Sequence, residues 1–318
     1  MKTRIPCALA VLGSTGTGKS ILGLTLAKRY GGEIVSCDST AVYRGFDIGT
    51  DKLPSELRQG IPHHLIDVVD PTDQYSVARY ASDAAKTFLA IRKRGRLPIL
   101  VGGTGLYYRG LVRGMFSGPA RAPQLRARLS RIAANRGVAT LHRMVEKVDP
   151  ISAERIQPND TRRLIRAIEV YRLTGRSLTS HFSETRSLIE GWNVISIAIT
   201  LPRVDLIKRL TRRVEAQFEG GLLDEIDGLL SSGVPASAPP FGGLVYRQAL
   251  EHIAGVRNEI DTRELVVQEN RRYAKRQLIW FRKEPNLTWI EGPGEANTTI
   301  ETASAVIDMQ LGSLGISQ

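Results

Sequence analysis

Residues 13–20 place the strongest constraint on how this chain folds. Their sequence, Gly-Ser-Thr-Gly-Thr-Gly-Lys-Ser, is a complete phosphate-binding loop, here called the P-loop. An apolar run over residues 5–12 precedes it, and a helical pattern over residues 21–30 follows it. A strand that ends in such a turn directs backbone N–H groups, and the N-terminus of the next helix, at a di- or triphosphate. We therefore predict a phosphorylated substrate, and the motif alone leaves open whether it is a nucleotide.

The P-loop supplies most of the predicted phosphate ligands. Lys19 is expected to reach the outer phosphate, and Ser20 is the predicted ligand of Mg²⁺, the predicted cofactor. The residues predicted to bind the phosphate groups are Gly13, Ser14, Thr15, Gly16, Thr17, Gly18, Lys19 and Ser20.

Short apolar runs alternate with helical patterns through the first third of the chain. They cover residues 5–12, 19–30, 33–37, 76–94 and 98–101. This alternation predicts a parallel sheet with helices on both faces. Ligands of such sheets bind at the carboxyl ends of the strands. The P-loop, residues 36–39 and residues 102–105 all follow predicted strands, so we expect them to meet at one site.

An arginine-rich helical region interrupts this pattern from about residue 121 to residue 181. Asp160 is a predicted helix cap, and an apolar stripe at helical spacing follows it. The stripe consists of Leu164, Ile165, Ile168 and Tyr171. A strand pattern returns at residues 194–201. The predicted fold is therefore α/β, a parallel sheet like that of P-loop nucleoside-triphosphate hydrolases, formed by residues 1–114 and 192–318 with C-terminal helices, and carrying a helical insertion domain at residues 115–191.

Charge and composition restrict the partners. The 44 Lys and Arg residues exceed the 32 Asp and Glu residues, which leaves a net charge of +12 and indicates a polyanionic partner, nucleic acid or a membrane surface. No apolar stretch approaches the roughly 20 residues of a membrane span. The two cysteines, Cys7 and Cys37, provide no disulfide framework. We therefore expect a cytoplasmic protein without a membrane partner.

Two further stretches combine apolar and basic residues. Leu206, Leu210, Val214 and Phe218 repeat every four residues, which predicts a helix whose other faces carry four basic side chains. Residues 271–283 contain six basic and no acidic residues, interleaved with Tyr273, Trp280 and Phe281. Cations that neutralise phosphates and aromatic rings that stack on bases are typical of nucleic-acid binding. We also expect at least one of Trp280 and Phe281 to be a core residue.

Asp38 is the carboxylate best placed for chemistry, because it ends a predicted strand opposite the P-loop. It is positioned to accept a proton from a nucleophile that attacks a group held by that loop. A competing role is indirect coordination of Mg²⁺. The two roles are compatible.

Several motifs in fixed order resemble those of the tRNA dimethylallyltransferase family. Residues 33–39, 42–45 and 47–50 resemble its second signature. The remaining motifs follow in family order at residues 63–67, 101–107, 149–150, 155–156, 158–160, 163–171, 174–175, 246–248 and 274–277. The resemblance extends from the P-loop to about Arg282, which is nearly the whole chain.

This resemblance implies a specific reaction. Family members transfer the dimethylallyl group of dimethylallyl diphosphate to the exocyclic N6 amine of the adenosine 3′ of the anticodon in tRNA, with Mg²⁺, and release pyrophosphate. By family position, Arg209 joins the P-loop in binding the diphosphate, and Asp38 and Thr104 are the catalytic residues. The implied partners are dimethylallyl diphosphate and the anticodon stem-loop, and a monomer is expected. The acceptor base has to leave its stack to reach the site.

The resemblance also implies a set of tRNA-binding residues, partly in the insertion domain and partly near the C-terminus. They are Asp38, Ser39, Thr40, Ala41, Thr104, Arg126, Arg162, Arg163, Arg166, Tyr246, Arg247, Gln248, Lys275, Arg276 and Gln277.

The chain departs from the family pattern mainly on the acceptor side of the expected site. Thr40 and Ala41 stand where the family usually has Met and Gln, and Val245 stands where it prefers Gly. Arg162 replaces a usual Gln, Gln217 a usual Met and Asn270 a usual Thr. The P-loop side matches the pattern, so these departures bear on the acceptor more than on the chemistry.

Three other functions remain open from the sequence. A related prenyltransferase acting on free AMP or ADP would use the same chemistry on a smaller acceptor. A P-loop kinase acting on a small molecule would use ATP, although the arginine-rich lid expected of such an enzyme is not recognisable. A catalytically silent RNA-binding relative would have no need of an intact P-loop together with Asp38 and Thr104.

Overall fold

The computed structural model describes residues 5–116 and 118–313. The chain divides into two compact units. The sheet unit contains the described residues up to Val112 and from Ile189 onward, and the helical unit contains those of Arg113–Leu188. The helical unit overlaps the insertion predicted at residues 115–191, and it begins and ends slightly earlier in the chain.

Helices form most of the described chain. In chain order they are α1 Lys19–Arg29, α2 Val77–Lys93, α3 Gly105–Val112, α4 Pro123–Arg136, α5 Val138–Val148, α6 Pro150–Arg155, α7 Thr161–Thr174, α8 Leu178–Ser183, α9 Arg203–Glu219, α10 Leu222–Ser231, α11 Leu244–Ile253, α12 Glu259–Phe281 and α13 Asn297–Ser313. Two short 3₁₀ helices lie at Ser55–Arg58 and Pro239–Gly242. No helix of the described residues has the length and apolar character needed to cross a membrane.

A six-stranded sheet forms the centre of the sheet unit. Its strands are β1 Cys7–Gly13, β2 Gly32–Cys37, β3 His63–His64, β4 Leu97–Gly102, β5 Asn193–Thr200 and β6 Leu287–Glu291. The spatial order is β3-β2-β4-β1-β5-β6, and all neighbouring strands are parallel. The predicted α/β fold with a parallel sheet is confirmed. Strand β6 and helix α13 were not predicted.

Helices cover both faces of the sheet, which is why its central strands are apolar without interruption. Side chains alternate between the two faces along a strand. Ala8, Ala10 and Leu12 of β1 belong to a core formed with α2 and α3, whereas Leu9 and Val11 belong to a core formed with α1 and α13. Packing on both faces therefore fixes the positions of the strands, including the carboxyl ends from which the loops leave the sheet.

The strand register brings the ends of β1, β2 and β4 to one level. Gly102, the last residue of β4, pairs with Leu12 of β1 and with Cys37 of β2. A Cβ atom at Gly102 would overlap the carbonyl oxygen of Cys37, so only glycine permits this approach. The loops that leave these three strands must therefore emerge side by side.

The helical unit packs α4–α8 around its own apolar core. Leu164, Ile165 and Ile168 of the predicted stripe are buried, and Tyr171 is partly buried. The side chain of Asp160 accepts a hydrogen bond from the backbone N–H of Arg163 at 3.1 Å, as predicted for the cap of α7. The helix ends at Gly175, whose φ of 72° is in the left-handed region that glycine adopts without strain.

Candidate active site at the carboxyl ends of the strands

A cavity of about 310 Å³ opens where the three loops emerge from the sheet. Its lining includes Thr15, Lys19 and Ser20 of the P-loop, Ser36, Asp38 and Ser39 after β2, and Gly102 of β4. The predicted convergence of the three segments on one site is thus confirmed. Thr104 joins them through its Oγ1, which accepts a hydrogen bond from the backbone N–H of Ser39 at 3.1 Å.

The P-loop is closed by short internal hydrogen bonds. The Thr17 hydroxyl donates to the carbonyl oxygen of Ser14 at 2.8 Å, and Lys19 Nζ reaches the same oxygen at 3.4 Å. Gly18 precedes α1 with a φ of 84°, and a Cβ there would overlap Glu295. The hydroxyl of Ser14 is fully buried and has no hydrogen-bond partner among the described residues. It is available to an oxygen of a ligand held by the loop.

The surroundings of Lys19 change the pKa of its ammonium group. Burial disfavours its charged form and lowers its pKa to about 8. The negative charge of Asp38 opposes this shift, and the positive charge of Arg213 adds to it. A lysine held in this way gains from any anion that enters the cavity, because the anion stabilises the ammonium form.

Arg213, on α9, is a site residue that sequence reasoning did not single out. It lines the cavity, and its Nη1 donates to the Thr15 hydroxyl at 2.9 Å while also forming an ion pair with Asp51 at 2.9 Å. Its Nε is buried without a partner among the described residues. The basic face of α9 was the available signal, and only packing distinguishes Arg213 from its neighbours.

Arg209 lies one helical turn earlier on the same face of α9. Its Nε donates to the carbonyl oxygen of Gly16 at 2.7 Å, and its guanidinium forms an ion pair with Glu295. It braces the P-loop from outside the cavity lining. Its role in diphosphate binding stays a prediction, and the structure gives it a bracing role in addition.

Gln277 links the P-loop to the end of β4. Its Oε1 accepts from the backbone N–H of Thr15 at 2.8 Å, and its Nε2 donates to the carbonyl oxygen of Gly103 at 2.9 Å. A Cβ at Gly103 would overlap Gln277 Nε2, so this glycine makes room for the amide. Both ends of an amide predicted to contact tRNA are thus bonded to protein. Lys275 and Arg276, on the same helix, are exposed.

Asp38 has one oxygen anchored by protein. Its Oδ1 accepts from the backbone N–H of Thr40 at 2.8 Å, the Thr40 hydroxyl at 2.7 Å and the backbone N–H of Ala41 at 3.3 Å. No described residue donates to Oδ2. Asp38 lines the cavity, so the arrangement fixes the carboxylate while keeping one oxygen free to receive a proton.

Tyr273 of α12 lies beside the two predicted catalytic residues. Burial raises the pKa of its phenol to about 12, and the charge of Asp38 adds to this effect, whereas a hydrogen bond with Thr104 opposes it. Tyr273 therefore keeps its proton at neutral pH. It lines the cavity and presents a ring and a hydroxyl group there.

Cys37 and Phe281 are core residues. Cys37 is fully buried, and burial raises the pKa of its thiol to about 12, so it is neutral at physiological pH. Its side chain packs in the core between the sheet and α2 and α3. Phe281 is also fully buried, which confirms the expectation that at least one of the two C-terminal aromatic residues packs in the core.

The residues predicted around Tyr246 organise a loop. The Tyr246 hydroxyl accepts from the backbone N–H of Gly49 at 3.0 Å and donates to Glu225 at 2.6 Å. Gln217 Nε2 donates to the carbonyl oxygen of Ile48 at 3.1 Å, which gives this family departure a structural role. The buried Gln248 accepts from Arg257 at 3.1 Å, whereas Arg247 is exposed.

The predicted tRNA-binding arginines of the helical unit fall into two pairs. Arg162 and Arg163 are exposed on α7. Arg126 and Arg166 bind the fully buried carboxylate of Glu169, at 2.8 and 2.7 Å. Burial by itself would raise the pKa of Glu169, but the hydrogen bonds from both arginines and from a backbone N–H outweigh it and lower the pKa to about 2. The second pair is thus held in fixed positions by an ionised carboxylate.

The donor set suits a hard cation. Among the described residues there is no group of three or more His, Cys, Asp or Glu side chains that would enclose a metal ion. Ser20 and Asp38 line the same cavity and offer oxygen ligands beside the P-loop. Mg²⁺ is commonly held by one or two such protein ligands together with waters and substrate phosphates.

The fold and the cavity together define a P-loop-like α/β protein in which a carboxylate faces a phosphate-binding loop across a small pocket. The chain belongs to the IPP transferase family, whose model matches residues 41–284.

Individual relatives cover nearly the whole chain. It is similar to a tRNA dimethylallyltransferase of Solibacter usitatus, with 46% identity over 93% of this chain and 96% of the relative. A solved tRNA isopentenylpyrophosphate transferase from Bacillus halodurans has 35% identity and a TM-score of 0.72, covering 98% of both chains. A solved eukaryotic dimethylallyltransferase acting on tRNA has 25% identity and a TM-score of 0.80, covering 97% of this chain and 80% of the other.

Proposed function

We propose that this protein transfers the dimethylallyl group of dimethylallyl diphosphate to the N6 amine of the adenosine 3′ of the anticodon in tRNA. The observation that carries the proposal is the cavity that both the P-loop and Asp38 line. The activities named for its relatives agree with it. In the reaction, the bond between C1 of the prenyl group and the diphosphate oxygen breaks, a bond from N6 to C1 forms, and the amine loses one proton.

The diphosphate end of the cavity, defined by Thr15, Lys19, Arg213 and Gln277, stabilises the leaving group. Lys19 and Arg213 bring positive charge to the cavity beside the P-loop, and the P-loop contributes backbone N–H groups. Such preorganised donors act on charge that grows as the C1–O bond breaks. Ser20 would hold Mg²⁺, which when bound neutralises further charge on the diphosphate.

The acceptor end, defined by Asp38, Thr40, Tyr273 and Asn270, positions the base. Asp38 Oδ2 is the oxygen that accepts the N6 proton, because Oδ1 is engaged by Thr40 and Ala41. An exocyclic aromatic amine is a poor nucleophile, so alignment and leaving-group stabilisation contribute more than base strength. The Tyr273 ring lines the cavity and offers a surface for the base.

Exposed cations on both units are the proposed contacts to the anticodon stem-loop. Lys275 and Arg276 on α12 and Arg162 and Arg163 on α7 are exposed. Together with the net charge of +12, they provide the phosphate-neutralising surface that RNA binding requires. The protein is proposed to act in the cytoplasm as a monomer.

Transfer of labelled dimethylallyl diphosphate, with Mg²⁺, to unmodified tRNA and to AMP in parallel tests the proposal. Label in tRNA alone supports it. Label in AMP alone would replace it with a free-nucleotide prenyltransferase. Label in neither, together with hydrolysis of ATP, would indicate a kinase.

A further inference from the structure

Helix α12 presents three polar side chains to the cavity at helical spacing. Asn270, Tyr273 and Gln277 are three and four residues apart, which places them on one face of the helix. With a rise of about 1.5 Å per residue, Asn270 lies roughly 10 Å from Gln277 along the helix axis. The three side chains therefore line the cavity in sequence, with Gln277 at the diphosphate end and Asn270 at the acceptor end.

Asn270 differs from the other two in its bonding. Gln277 uses both ends of its amide on protein, and Tyr273 lies beside Thr104. Asn270 is only 6% exposed, and its Nδ2 has no hydrogen-bond partner among the described residues. Burying an unpaired amide N–H destabilises a protein unless a ligand completes the bond. The position is therefore better suited to recognition than to stability.

The surroundings of Asn270 identify the end of the cavity it serves. Gln277 contacts the P-loop, and Tyr273 lies beside Thr104 and near Asp38. Asn270 is one turn further along α12 from these groups. Val266, one turn beyond Asn270, shares a core with Val245 of α11, and Val245 also lines the cavity. A wall that combines the apolar side chain of Val245 with the amide of Asn270 fits a planar heterocyclic base better than a phosphate.

We propose that Asn270 determines acceptor specificity by donating a hydrogen bond from Nδ2 to a ring nitrogen of the acceptor adenine. Side-chain amides match adenine, whose ring nitrogens accept beside the exocyclic amine. The bond would hold the base edge so that N6 faces Asp38. This inference rests on the proposed function and adds a residue that the sequence analysis treated only as a family departure.

Anticodon stem-loop RNAs with adenosine, 7-deazaadenosine or 1-deazaadenosine at the acceptor position test the inference. Each analogue lacks one ring nitrogen. Wild-type protein should lose roughly tenfold in kcat/KM on one analogue, the size expected for one hydrogen bond in a closed site. Asn270→Leu should lose about as much on adenosine and nothing further on that analogue. Gln268→Leu, which removes an exposed amide from the same helix, should behave as wild type.

Two further measurements separate recognition from a structural role. Because Nδ2 is unpaired, Asn270→Leu should unfold at the same temperature as wild type or higher, and its affinity for pyrophosphate should stay within about twofold. A lower unfolding temperature or weaker pyrophosphate binding would overturn the inference. Equal losses for wild type and Asn270→Leu on both analogues would also overturn it. A wild-type protein that modifies no RNA would instead overturn the proposed function.

Discussion

The two ends of the cavity are built in different ways. At the diphosphate end the polar groups bind one another: Gln277 bridges the P-loop and β4, and Arg213 binds Thr15. The atoms that stay without a described partner there, Ser14 Oγ and Arg213 Nε, belong to the P-loop and to a cationic side chain, which are groups that bind phosphate. At the acceptor end, Asp38 Oδ2 and Asn270 Nδ2 have no described partner. The first end is preorganised for a ligand of fixed chemistry. The second leaves bonding capacity for a base that arrives from outside.

Four of the six departures from the family pattern follow the same division, and the other two, Arg162 and Gln217, do not line the cavity. The P-loop agrees with the pattern throughout, whereas Thr40, Ala41, Val245 and Asn270 all line the cavity near its acceptor end or beside Asp38. The diphosphate is the same for every acceptor, and the walls around the base are free to vary as long as Asp38 and the amine meet. The four predictions below test this division.

The largest expected effect is at Asp38. Asp38→Asn should lower the single-turnover transfer rate by about 10²- to 10⁴-fold, the contribution typical of a general base, because the amide cannot take the N6 proton. Pyrophosphate affinity, measured by calorimetry, should change less than threefold. An equal loss in rate and in tRNA binding would assign Asp38 to RNA recognition instead.

The second test compares the two arginines of α9. Arg213→Ala should weaken pyrophosphate binding by about 10- to 100-fold, since it removes a charged donor that lines the cavity. Arg209→Ala should have a smaller effect on binding and a larger one on thermal stability, because Arg209 braces Gly16. Calorimetry and thermal unfolding of both variants measure these effects. The reverse order would move the diphosphate to the outer side of the P-loop.

The third test uses the pKa of Lys19. That pKa is lowered to about 8, so the ammonium form is present below pH 8 and is lost as the pH rises through 8. Diphosphate binding needs the charged form, and affinity should fall by up to about tenfold per pH unit above 8. Lys19→Arg keeps its charge and should lack this decline. Pyrophosphate titrations of wild type and Lys19→Arg from pH 7 to 10 provide the comparison. If affinity depends on pH in the same way in both proteins, the prediction is wrong.

The smallest effect is expected at Thr40, whose hydroxyl is one of three donors to Asp38 Oδ1. Thr40→Val keeps the shape and removes that donor, so kcat should fall by roughly 3- to 10-fold while pyrophosphate affinity stays unchanged. Thr40→Ser should restore kcat, because it restores the hydroxyl. If Thr40→Ser is as slow as Thr40→Val, the methyl group rather than the hydroxyl matters at this position.

Local patterns were sufficient for the elements of the fold that depend on nearby residues. The P-loop, the Asp160 cap and the four-residue repeat of α9 each follow from short-range spacing, and the structure confirms all three elements. Strand β6 and helix α13 were not predicted. Strand β6 is defined by its pairing with β5, and α13 by packing of Ile307 in the core beneath the sheet, rather than by a strong pattern of their own.

The site likewise has features that follow from nearby residues and features that depend on packing. The sequence by itself determined the parallel sheet, the phosphate-binding loop and the meeting of the P-loop with Asp38, because parallel strands bring their carboxyl ends to one edge. Only the tertiary structure decided that Arg213 rather than Arg209 lines the cavity. It also decided that both ends of the Gln277 amide bond to protein, whereas Asn270 Nδ2 has no described partner. These side chains lie far along the chain from the P-loop. Which of them turns inward is set by how α9 and α12 pack, and short-range spacing carries no information about that packing.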